Sequence, residues 1–210
     1  MGWFSRRPAA AEAPPETLDI QLFPLNTVLF PGGHLGLKIF EQRYLDMAAA
    51  CLRDTRPFGV CLIAEGNEVG TPATPHPVGT LATITNADSP QLGLLLVSLR
   101  GGRKYRIRDR RVDPDGLQRA TVQLAPDNGT RAIPANRDSL VTLLRNVAAD
   151  VGPERMPPPH AYDDAVWVGH RLAEIMPVQP LAKQKLLELD DPLQRLEILF
   201  SYLHQRGLVR

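Results

Sequence analysis

Residues 22–44 read LFPLNTVLFPGGHLGLKIFEQRY, and the punctuation of this stretch decides the fold. Two short apolar runs, Ile20–Phe23 and Thr27–Phe30, are each closed by a proline, Pro24 and Pro31. Pro31-Gly32-Gly33 launches a third run, His34 to Phe40, and a charged segment, Glu41-Gln42-Arg43-Tyr44, follows at once. Proline fixes φ and removes a donor, whereas glycine admits positive φ. The pattern therefore predicts strand, bend and strand, running directly into a helix.

Downstream, Tyr44, Leu45, Met47, Ala48, Cys51 and Leu52 recur at spacings of three and four, which predicts an amphipathic helix over Glu41–Arg53. Phe58–Ala64 is a continuous apolar run and reads as a buried strand. Residues 65–77, with Gly66, Gly70, Pro72, Pro75 and Pro77, read as an exposed loop. Val78–Thr85, Leu92–Leu99, Tyr105–Asp109 and Leu117–Leu124 follow as short β-type runs separated by Gly, Asn, Asp and Pro. Their regular spacing suggests a closed or strongly bent antiparallel sheet, with the arginine-rich run on an edge strand.

The period changes after Pro126. Leu140, Leu144, Val147 and Val151 fall on one helical face, with Val141 and Ala148 beside them. A second helix is expected from Asp163, as N-cap, to Met176, and a third over Pro180–Leu189. The last has Asp191 as N-cap, Pro192 at the first helical position and Gln194 in a capping box, with Leu193, Leu196, Phe200 and Leu203 as its buried stripe. The class is α+β: a flexible tail over 1–17, a β-rich part over 18–125 and a helical part over 126–210.

Composition narrows the function classes. The chain has 210 residues, 43% hydrophobic and 22% charged, with a formal net charge of +1, so nothing global favours nucleic acid or an anionic membrane. The 20 prolines exceed the usual share of roughly 5% and act as punctuation. Cys51 and Cys61 have apolar neighbours and form no CxxC pair, which favours buried thiols in a reduced, cytoplasmic protein. Arg6 and Arg7 precede no apolar core of signal-peptide length, and no run approaches the ~18 apolar residues of a membrane span.

Phe23-Pro24-Leu25-Asn26-Thr27-Val28-Leu29-Phe30-Pro31-Gly32, followed by Ile39-Phe40-Glu41-Gln42-Arg43-Tyr44, resembles the opening signature of the Lon protease N-terminal domain and of stand-alone bacterial proteins similar to it. Val78-Gly79-Thr80-Leu81-Ala82, Arg103-Lys104-Tyr105-Arg106-Ile107 and the segment from Met176-Pro177 through Lys183-Gln184-Lys185 to Arg195-Leu196 match in the same order. The resemblance implies a PUA-like pseudo-β-barrel of about six strands with one inserted helix, then a C-terminal helical bundle. It also implies a domain that captures polypeptides and supports assembly, without the family's motor or protease. No Gly-x-x-x-x-Gly-Lys-Ser/Thr run is present to cradle phosphates, and no serine–lysine protease segment accompanies it.

The expected function is thus a non-catalytic protein-binding or adaptor module that recognises unfolded segments or a partner protein, with no cofactor, no metal and no membrane partner. A hydrophobic groove between barrel and bundle, beside 22–44, is the expected site. Glu41, Arg43 and Tyr44 are candidate partner contacts, although a structural reading, in which Arg43 ties the first helix to carboxylates or loop carbonyls, is favoured. Lys104, Arg106 and Arg108 share one face of a strand and are further candidates, with Tyr105 and Ile107 on the other face. The basic strand Arg103–Arg111 gives the alternative function, RNA or anion binding. His170 and Glu174 stand four apart on a helix and read as a surface pair rather than metal ligands, since no third ligand and no HExxH pattern accompany them. His34 has no nearby nucleophile to serve, and a small-molecule enzyme is the least favoured reading because no nucleophile, base and oxyanion set converges.

Overall fold

A computed structural model describes residues 15–127 and 129–210. Most of the tail expected over 1–17 lies outside the described residues, and Thr17 already belongs to the first strand. Six strands form one sheet: β1 (Thr17–Leu25), β2 (His34–Ile39), β3 (Phe58–Glu65), β4 (Thr74–Gln91), β5 (Leu94–Val112) and β6 (Gln118–Leu124). The spatial order is β2-β5-β4-β3-β1-β6, and β5 also pairs with β6, so the sheet closes on itself with β2 outside the ring. Helix α1 (Gln42–Asp54) separates β2 from β3, and α2 (Asp138–Val151), α3 (Ala165–Ile175), α4 (Pro180–Glu188) and α5 (Pro192–Gln205) follow β6. The fold is mixed α+β.

Several details differ from the sequence reading. The sheet is not wholly antiparallel, because β1 and β3 pair in parallel from Leu22↔Gly59 to Leu25↔Leu62. A parallel pair needs a crossover, and β2 with α1 supplies it. Pro24 does not end β1. Pairing with β6 stops at Leu22, so one edge of β1 is unpaired beyond that point and tolerates a residue without an N–H. Thr27–Phe30 is not a strand. Its side chains are shared between two cores, Leu29 under the sheet with Phe23 and Phe58, Val28 and Phe30 under the helices with Leu172 and Leu199.

The runs Leu92–Leu99 and Tyr105–Asp109 are one strand, β5, and residues 74–91 are one strand, β4. Register shifts at Thr80/Ala82, Ile84/Asn86 and Asp88/Gln91 let this long hairpin bend. The basic strand is not an edge strand. β5 has β4 on one side, and β2 then β6 on the other.

Gly101 and Gly102 do not break β5. Gly101 accepts from the Gly32 N–H and donates to the Gly33 carbonyl, each at 2.8 Å, and a Cβ on Gly101 would stand 2.2 Å from the Phe30 carbonyl oxygen. The glycine serves close backbone approach rather than a turn. This contact fixes the Pro31–Gly33 turn against the barrel.

Among the helices, α3 lies against α2, α4 and α5. Leu196, Leu199 and Leu203 are the buried stripe of α5, whereas Leu193 is exposed, so the expected stripe is rotated by part of a turn. The N-cap of α3 is Asp164, not Asp163. Its carboxylate accepts from the N–H groups of Val166 and Trp167, and also from that of Arg131, a tertiary partner that selects it over its neighbour.

Candidate functional site

Glu41, Arg43 and Tyr44 stand together at the start of α1, and the two larger side chains are buried. Arg43 donates to the carbonyls of Gly70 (2.9 Å) and Gly116 (3.2 Å) and to the Glu41 carboxylate (2.8 Å). One guanidinium therefore ties the helix to two loops that are distant in sequence. Tyr44 stacks on Phe23 with ring centroids 4.1 Å apart, and burial pushes its hydroxyl up to about 12. Phe40 and Val69 border a shallow depression beside this cluster, and both are exposed.

Lys104, Arg106 and Arg108 do share one face, while Tyr105 is buried on the other. Their environments differ. Lys104 is half-buried and donates to the carbonyls of Leu187 (3.2 Å) and Leu189 (3.1 Å) and to Asp190 (2.6 Å). It closes the C-terminus of α4, where exposed carbonyls favour a cation, and burial lowers its pKa. Arg195 performs the same task from α5 by donating to the carbonyls of Leu186 and Leu189. Arg108 is held by Gln123, and Arg106 is exposed.

His170 and Glu174 are not a surface pair. His170 is buried, with its ring 5.9 Å from that of Phe30, and burial holds its pKa well below the ordinary value, with Arg195, Arg171 and Lys104 adding to the effect. Glu174 is partly exposed and lines a cleft of about 550 Å³ where the Pro31–His34 turn meets α2 and α3. No group of three or more His, Cys, Asp or Glu suited to a metal occurs among the described residues.

The cleft is built from four sources. α3 presents Trp167, Arg171, Glu174 and Ile175, spaced four, three and one, while Val168, Leu172 and Ala173 of the same helix enter the core. α2 contributes Val147 and Val151, which drift off its core face of Leu140, Leu144 and Ala148. The loop between them adds Arg155, Met156, three prolines and His160, and the sheet adds Gly32, His34 and Arg100. His34 and Arg100 are direct partners in the β2–β5 ladder.

Polar groups hold these walls in place. Arg171 is buried and donates to the Pro31 carbonyl (2.8 Å), and its guanidinium pairs with Glu174 at 3.1 Å. Burial raises the Glu174 pKa, opposed by Arg171, the His34 backbone N–H and Lys183. Lys183 donates to the Glu174 carbonyl (2.5 Å). At the far end, the His160 Nε2–H donates to the Met156 carbonyl (2.9 Å), which leaves Nδ1 to accept from the Tyr162 hydroxyl (3.2 Å). Trp167 lies edge-on to Tyr162 at 5.3 Å and 5.7 Å from His160. The result is a trough of apolar and aromatic groups, with arginines supplied by β5, the α2–α3 loop and α3.

Sequence reasoning did not single out Trp167, Met156, Arg155 or Arg171, and it placed Arg100 only in the basic run of its strand. The available signal was the Trp167–Arg171–Glu174 spacing opposite an apolar helix face, next to a proline-rich loop.

Comparison with known proteins gives a consistent result. Residues 19–205 match the family described as the ATP-dependent protease La (LON) substrate-binding domain. A Lon protease of Xanthomonas oryzae pv. oryzae is 29% identical over 214 residues, covering 93% of this chain but 24% of the protease, so the chain spans about a quarter of that relative's length. The crystal structure of a Lon N-terminal domain protein from Xanthomonas campestris is similar with a TM-score of 0.74 and 34% identity, covering 88% of this chain and 98% of the other. The N-terminal domain of a Mycobacterium avium complex Lon protease shares the fold at a TM-score of 0.62 and 16% identity, covering 88% and 97%.

Proposed function

Because the chain belongs to the Lon substrate-binding domain family, we propose that it is a non-catalytic polypeptide-binding module, acting as an adaptor, and that an apolar segment of an unfolded or partner protein occupies the cleft beside the Pro31–His34 turn. The observation that carries this reading is the trough itself. Its volume of about 550 Å³ is walled by Val147, Val151, Met156, Trp167 and Ile175, and lies within the roughly 300–1,000 Å³ of ordinary ligand sites. Apolar side chains entering it leave water, at about 25 cal/mol per Å² of apolar area removed.

In this reading residues 18–125 form a PUA-like barrel, residues 126–210 a helical part, and the cleft lies where they meet. The setting is cytoplasmic; among the described residues no helix is long and apolar enough to cross a membrane. RNA binding along Arg103–Arg111 is the weaker reading, because Lys104 is committed to α4, Arg108 to Gln123 and Arg103 to Glu16. The match to the substrate-binding domain supports the binding part of this reading.

A photo-crosslinking side chain placed at Val151 or Ile175 tests the site. With a chemically unfolded model protein, adducts should form there in clear excess over the same probe at exposed Arg53. Equal labelling at all three positions would refute the cleft as the binding site.

A further inference from the structure

We infer that the cleft selects apolar polypeptide segments that carry a carboxylate, and that Arg100 and Arg155 receive it. This deepens the polypeptide-binding reading and rests on it. The cleft lining holds three arginines, Arg100, Arg155 and Arg171, against one carboxylate, Glu174. Arg171 is already committed, to Glu174 at 3.1 Å and to the Pro31 carbonyl at 2.8 Å. It positions the turn, and both of its terminal nitrogens are engaged by those bonds. Arg100 and Arg155 are exposed side chains with no carboxylate partner among the described residues. They come from different walls, β5 and the α2–α3 loop, with apolar Val151, Met156 and Trp167 lining the same trough.

The surrounding field has the same sign. The imidazole of His34, the cross-strand partner of Arg100, is disfavoured as a cation by burial and then by Arg100 and Arg171. A chain whose formal net charge is only +1 thus brings three arginines against one carboxylate at this apolar cleft. An anion bonded by two guanidinium groups at an apolar wall gains charge-assisted hydrogen bonds in a partly desolvated place, where they are stronger than in bulk water. An acidic side chain and a free chain terminus present the same group, so either source satisfies the site.

Three fluorescent peptides sharing one apolar sequence separate the possibilities by anisotropy titration: one amidated, one with a free C-terminal carboxylate, and one amidated with a single internal Glu. Either or both acid-bearing peptides should bind about tenfold more tightly than the neutral amide, as two charge-assisted bonds at a partly exposed site allow. The advantage should shrink as salt is raised from 50 to 300 mM, about a twofold change in screening length. In R100A/R155A the acid-to-amide ratio should fall to near one, while R53A should keep it. Preference for the terminal acid alone, or for Glu as well, identifies the source. Equal binding of all three peptides would overturn the carboxylate site and leave the polypeptide reading standing. No binding of any peptide would overturn both.

Discussion

The Glu41–Arg43–Tyr44 cluster makes a sharp prediction about stability. Replacing Arg43 with Met keeps most of the buried stem and removes the guanidinium. Two hydrogen bonds to the Gly70 and Gly116 carbonyls, at 2.9 and 3.2 Å, are lost. Bonds from a charged donor are worth about 1.5 kcal/mol each at the low end of their range, giving about 3 kcal/mol. The pair with Glu41 adds little, because that carboxylate remains 21% exposed and water can replace its partner. Against this, Arg43 Nε is buried without a partner, and its removal returns about 1 kcal/mol. The expected destabilisation is therefore about 2 kcal/mol, read as a lower urea midpoint with an unchanged slope. Amide exchange should also accelerate in the loops around Gly70 and Gly116, since the same side chain holds both. A change below about 0.5 kcal/mol, the scale of an ordinary surface substitution, would refute the clamp. Loss of peptide binding at unchanged stability would instead make Arg43 a partner contact.

Further outcomes follow from other particular contacts. Gly101→Ala places a methyl 2.2 Å from the Phe30 carbonyl oxygen and should cost about 1–3 kcal/mol by thermal or urea melting, whereas Gly36→Ala, with open space around it, should cost much less. Cys61 is buried with its thiol pushed up to about 12, so a thiol reagent at pH 8 should label it only as fast as the protein opens, with denaturant restoring normal reactivity. His170 is held well below its ordinary 6.5 in the folded state. The unfolded chain therefore binds the extra proton first, and stability should decline as pH falls below about 6.5, by up to about 1.4 kcal/mol per unit from this group. His170→Leu should flatten that limb of the pH–stability profile. Asp164→Ala should cost about 1 kcal/mol through the lost cap of α3, and Asp163→Ala close to nothing.

The functional reading gains from the way the fold is joined. The Pro31–Gly33 turn is bonded on one side to Gly101 of β5 and on the other to Arg171 of α3. A cleft roofed by this turn is therefore fixed by both the sheet and the helices, and its apolar wall is not free to collapse. Arg171 and Glu174, one helical turn apart, hold the boundary from within. A preformed trough of this kind spares a ligand the ordering cost that a mobile site imposes.

The sequence by itself determined the elements and the family. Periods of two and 3.6, proline and glycine punctuation and the cap at Asp191 are local signals, and they located β1, β2, β3 and β6 in outline, α1, α5 and the start of the helical part. The ordered blocks from Phe23 to Leu196 carried the resemblance that residues 19–205 then bore out. What local signals do not encode is which distant groups meet. Gly101-Gly102 looks like a break in sequence but is a strand interior, because its meaning comes from the Phe30 carbonyl that crosses it. Asp163 and Asp164 are equivalent caps until Arg131 offers a second donor to one of them. The sequence suggests that Arg43 ties the first helix to a carboxylate or loop carbonyls and sets Lys104 on a solvated strand face, yet which carbonyls Arg43, Lys104 and Arg171 meet is decided by other parts of the chain. The cleft is the extreme case. Val151, Trp167 and Arg100 acquire a common role only when β5, α2 and α3 converge on one turn, and that convergence is a property of packing across the whole chain rather than of any segment in it.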